Sequence, residues 1–248
     1  MSREVTLAVP QSIEAAYLVI IGQVALLFSH IVFEVLSFIA LGNSVANDLR
    51  AIAVLLIALL FPFILMVNVV SCWLTTRSTF DEFEEYPNSL FAWDIIMIVL
   101  FFSTTNLVTL AFISGDTSQE FWNYLLNAGG SAQPINSALE SLYKKVVNVV
   151  PPAVFFMCGL VCATYIAWNK TYLREKKRIL NNEDDKDFEK INSILFGACA
   201  IQVAFCCFSI IFDAPGFLLA SVLIWSSFWI WINITWLKDS PLSPQNDL

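Results

Sequence analysis

Apolar residues in this chain do not alternate with polar ones; they run on in long blocks separated by short polar stretches. A helix needs about 20 apolar residues to cross hydrocarbon about 30 Å thick. The pattern therefore predicts an all-α fold, a polytopic membrane bundle of six spans at about 16–41, 51–74, 91–114, 149–168, 193–212 and 217–237. Residues 1–15 read as a short N-terminal segment before the first span. The tail 239–248, with Pro241 and Pro244, reads as disordered.

The interruptions refine the picture. Pro62 sits in the middle of the second block, where it frees a backbone carbonyl and kinks a helix. Pro151 and Pro152 open the fourth block, where the first amide hydrogens have no helical partner in any case. Between the third and fourth blocks, Thr117 with Glu120 and Ser137 with Glu140 form two capping boxes. These predict two short amphipathic helices, 119–127 and 137–147, hinged at Gly129 and Gly130. Phe121, Trp122, Tyr124 and Leu125 suit the first to the membrane surface. Asp213-Ala214-Pro215-Gly216 marks a sharp turn between the last two spans.

Charge orients the bundle. The stretch from Lys170 to Lys190 holds seven of the thirteen basic residues, and its first part, TYLREKKRIL, continues the fourth helix beyond the apolar block. With that loop inside, ten basic residues fall on the cytoplasmic side and three outside, the bias expected of a plasma (inner) membrane protein with both termini cytoplasmic. The three-plus-three arrangement around the 115–148 connection is the layout of an inverted repeat, but no residues match between the halves.

Composition agrees: 58% hydrophobic residues, 14% charged and a mean hydropathy of +0.70, against about 25% charged in soluble domains. A net charge of −8 argues against nucleic acid as a partner, because phosphate binding needs clustered cations. All six cysteines lie inside apolar blocks, where a free thiol behaves as a small hydrophobe. The first block is too long for a signal-peptide core of about 7 to 15 residues. One histidine, no HExxH or CxxC pair, no phosphate loop, no GxSxG and no lysine inside a span leave no enzyme, metal or cofactor chemistry to predict.

The polar residues within spans carry what chemistry there is. His30 and Glu34 lie one helical turn apart near the centre of the first span, where a charge costs about 2.5 to 3.5 kcal/mol. With Gln23 and Ser37 they form a stripe on one side of the helix. Asn68, Ser71 and Thr75 in the second span, Asp94 and Thr105 in the third, and Cys199, Gln202, Cys206 and Ser209 in the fifth are available partners. The expectation is an ion or proton path through His30, Glu34, Gln23, Asn68 and Gln202, with imidazole and carboxylate tuning one another. Small-residue faces, Gly159-xxx-Ala163 and Ala200-xxx-Ala204, favour a homo-oligomer in the lipid bilayer. Asp94 and Asp213 read as helix-end residues. The alternative is a membrane anchor or sensor subunit that docks a cytosolic protein through Asp81, Glu82, Glu84 and Glu85 on one loop and Arg174, Lys176, Lys177 and Arg178 on the other.

Overall fold

The computed structural model describes residues 3–40, 49–80, 83, 85–113, 135–180 and 186–239. Among them the fold is all-helical: α1 Arg3–Ala40, α2 Leu49–Phe80, α3 Asn88–Ile113, α4 Ile135–Phe156, α5 Cys162–Leu180, α6 Lys186–Ile211 and α7 Pro215–Asp239. A five-residue π turn, Met157–Val161, joins α4 to α5, so that the two form one rod. Five stretches are long and apolar enough to cross a membrane, and a sixth, Pro215–Trp231, is apolar but shorter. The helices are long and apolar enough for an integral membrane bundle.

The helices run up and down. Glu14 pairs with Arg77 and Asn169 with Asn192 at one end, hereafter the basic end. Lys145 donates to the Phe112 carbonyl and the Tyr143 hydroxyl to Asp213 at the other. α1 packs on both α2 and α3, and the α4–α5 rod closes the ring by packing on both as well, which leaves α2 and α3 facing one another across a four-helix interior. α6 and α7 form a hairpin laid outside it, α7 against α2 and α6 against the rod.

The four-helix interior is filled by Leu27, Ile31, Phe61, Leu65, Phe101 and Val154, each at most 1% exposed. The outer surface is just as apolar: Leu26 is 71% exposed and Phe196 and Ile211 are 69% exposed. A water-soluble surface does not present such side chains contiguously, whereas hydrocarbon solvates them. Span hydroxyls are accommodated on their own helices. Ser71, Thr75, Thr79 and Thr104 each bond the carbonyl four residues back, which removes the cost of burying them without a partner helix.

Two differences from the sequence reading concern boundaries. Helix α1 begins at Arg3, so residues 3–15 are its first turns, and Ile13 is already buried. The second amphipathic helix, 137–147, is the start of α4 and continues unbroken through Pro151 and Pro152. The two prolines leave a gap in the hydrogen-bond ladder but no break, because Val150, Pro151, Ala153 and Val154 are buried against neighbouring helices. The first amphipathic helix and residues 240–248 of the tail lie outside the described residues.

A buried carboxylate at the basic end

Asp94 is the seventh residue of α3, about 9 Å along the helix from its start, and is 1% exposed. Three donors converge on it. Thr76 Oγ1 on α2 and Trp168 Nε1 on α5 donate to Oδ1 at 3.2 and 3.0 Å. The Tyr86 hydroxyl, on the loop before α3, donates to Oδ2 at 2.5 Å.

Each donor is held by its own surroundings. Trp168 is stacked between Tyr165 and Tyr172, its neighbours three and four positions away on α5, with interplanar angles of 11° and 6°. Such spacing puts the three rings on one helix face. Tyr86 meets Phe80 edge-on at 4.6 Å. Phe83, three residues earlier, is buried edge-on against Tyr172. Phe83 and Tyr86, between α2 and α3, are thus both turned inward at the site.

Tyr17, Cys72, Thr75, Met97 and Tyr165 complete the lining. None of the lining side chains among the described residues is basic, so the carboxylate is held there by hydrogen bonds. Each bond to a charged acceptor contributes about 1.5 to 3 kcal/mol, enough to offset much of the desolvation. The void between these side chains leaves about 10 Å³ for a water's centre, about what one molecule requires. Burial first, then the negative charge of Asp94, pushes the Tyr86 phenol above its ordinary range, so Tyr86 acts as a neutral donor.

No protein family, curated relative or solved structure matches this chain.

The residues singled out from sequence are distributed differently. On α1 the buried face is Ile13, Tyr17, Ile20, Val24, Leu27, Ile31 and Val35. Gln23 and His30 lie about a quarter-turn from it and are half-buried. Gln23 Oε1 is shielded and accepts no hydrogen bond among the described residues. Glu34 lies on the same helix, but its side chain is outside the described part of the structure.

Asn68 and Gln202 are buried, at 0% and 1% exposure, and both reach the π turn rather than α1. Asn68 donates to the Ile64 carbonyl and lies 3.9 Å from Met157 Sδ. Gln202 accepts from Cys158 Sγ and donates to the Ser221 carbonyl, which ties α6 to the rod and to α7. A π turn shifts the carbonyl ladder by one residue, and here the Cys158 carbonyl accepts from Cys199 Sγ at 2.7 Å.

Of the docking residues proposed from sequence, Asp81, Glu82 and Glu84 lie outside the described residues, and Glu85 is exposed. Much of the basic set is engaged within the chain. Arg178 pairs with the buried Glu175 at 2.8 Å and Arg174 with the same carboxylate at 3.6 Å. Glu175 also accepts from Ser89, and Lys176 donates to the Tyr172 hydroxyl.

From sequence Asp94 reads as a helix-end residue, because its level in the membrane is shallow. The available signal was its company: an acid inside FAWDIIMIVLFF with no basic residue within four positions on either side. That Tyr86, just before the helix, turns back onto it is not written in that stretch.

Proposed function

We propose that this protein is a small, self-associating channel or transporter that moves an ion or protons across the plasma (inner) membrane, with Asp94 as its charge-bearing group. The observation that carries the reading is a carboxylate 1% exposed, with no basic side chain among the described residues that line it, beside a one-water void in a four-helix interior. Intramembrane ionisable groups are costly and mark ion or proton pathways.

Further features support it. Buried polar residues continue inward from Asp94 along α2 as Ser71 and Asn68, and on α3 as Thr104 and Thr105. Along α1, Tyr17 stands at the level of the site, with Gln23 about 9 Å and His30 about 20 Å further on. Between these stations the interior is packed, so passage requires the helices to move. Pro62 and the π turn give α2 and the rod places to bend. Ala163, Ala200 and Ala204 are exposed on the outer surface, where small residues let a second copy approach closely.

In this reading the basic end is cytoplasmic, as its excess of lysine and arginine favours. A cysteine placed at exposed Lys177 is then labelled by a membrane-impermeant maleimide only after permeabilisation. Transport is tested with purified protein in liposomes. Asp94→Asn, and separately Glu34→Gln, should each reduce ion or proton flux in a protein that still elutes as the folded species. Unaltered flux in both would count decisively against the reading.

A second reading, an anchor for a cytosolic partner, is favoured by the exposed Glu85, Arg174 and Lys177 at the same end. It requires a protein to co-purify and to be released when Glu85 and its acidic neighbours are reversed in charge.

A further inference from the structure

We propose that the species Asp94 binds is a proton rather than a metal cation, and that Tyr86 relays it to water at the basic end. The inference deepens the transport reading and rests on it for the idea that Asp94 is loaded and unloaded.

The chemistry of the donors decides between the two species. A metal cation needs several oxygen lone pairs around it. The indole N–H of Trp168 can only donate, and its ring is clamped between Tyr165 and Tyr172. It therefore keeps a positive edge aimed at Oδ1, where a cation would have to sit. The adjoining void has room for one water, not for an ion with its remaining hydration shell.

A proton needs no such space. Once protonated, the carboxyl group is one donor with acceptor capacity to spare, and the hydroxyls of Thr76 and Tyr86 can each reverse from donor to acceptor by rotating one hydrogen. Both charge states are thus satisfied with no backbone movement. The titratable groups facing Asp94 are Tyr17 from α1, Cys72 from α2, Tyr165 from α5 and Tyr86 from the loop. None brings a positive charge that would compensate the carboxylate in the proton's place.

Tyr86 is the connection outward. It is half-buried, lies between the spans and donates directly to Oδ2. Loading is a paired transfer: a hydronium ion at the basic end gives a proton to Tyr86 Oη while the original hydroxyl proton passes from Oη to Oδ2. One O–H bond forms at each oxygen, and one breaks at hydronium and one at Tyr86. The phenol stays neutral throughout and a water is left behind. Unloading is the reverse.

The test uses the full-length protein in phosphatidylcholine–phosphatidylglycerol vesicles, with an imposed membrane potential and a pH dye inside, and infrared difference spectra of the same samples against pH. Expected are acidification in wild type regardless of which alkali cation is present, a protonated-carboxyl C=O band that titrates and vanishes in Asp94→Asn, and slowing by about tenfold or more in Tyr86→Phe. Tyr86→Phe keeps the ring and its packing, so it separates relay from folding. Flux that requires sodium or another metal ion, without acidification, overturns the proton assignment while leaving transport intact. A titrating Asp94 band with no flux of any ion overturns transport and supports the proton site. A band unchanged by Asp94→Asn, or a Tyr86→Phe protein as fast as wild type, overturns the inference itself.

Discussion

Replacing Asp94 with alanine removes the acceptor on which three donors depend, and the structure indicates how much that should cost. Each buried donor left unsatisfied costs about 1 to 3 kcal/mol, but the three are not equally trapped. Thr76 can turn to the carbonyl four residues back, as Thr75 and Thr79 already do. Tyr86 is half-buried at the basic end and can reach water. Trp168 is buried and fixed by its two stacking partners, so its indole N–H has nowhere to go. One full penalty plus lost packing gives about 2 to 4 kcal/mol for Asp94→Ala. Asp94→Asn keeps an acceptor for Thr76 and Trp168 and offers an N–H to the Tyr86 oxygen, which can accept, so it should cost about 1 kcal/mol or less. The assay is reversible unfolding by SDS titration in mixed micelles, followed by tryptophan fluorescence. If Asp94→Ala matches wild type, or if Asp94→Asn is as damaging as Asp94→Ala, the three hydrogen bonds do not hold this end of the bundle.

Other consequences follow from neighbouring parts of the same structure. The Tyr86 phenol is raised above its ordinary value of 10.0, so the folded state holds a proton that the unfolded chain releases above that pH. Its contribution is fully present below about pH 10 and declines as pH rises further, and Tyr86→Phe should flatten the alkaline limb of a stability–pH profile. Phe83 is 6% exposed among Leu90, Trp168 and Tyr172; Phe83→Ala should cost about 3 kcal/mol and should accelerate protease cleavage between α2 and α3. Gln202→Leu removes the bonds to Cys158 and Ser221 and should cost about 0.5 to 2 kcal/mol, read as a lower SDS midpoint.

Apolar block length alone determined most of the architecture. Because hydrocarbon leaves no backbone group unpaired, a run of about 20 apolar residues has little choice but to be a helix, and the six blocks of this chain correspond to α1, α2, α3, the α4–α5 rod, α6 and α7. Ser71 and Thr75, available from sequence as partners in a polar interior, instead bond their own helix backbone. Periodicity was less informative about which side of each helix faces the interior, since lipid and core are equally apolar and α1 is nearly as greasy outside as in. The stripe of Gln23 and His30 accordingly lies beside the buried face rather than on it. Only the tertiary structure decided that Asp94 gathers donors from α2, α5 and Tyr86 before α3. Those partners are 8, 18 and 74 positions away in sequence. Hydrogen bonding over such separations depends on how helices are set against one another, which no local pattern encodes.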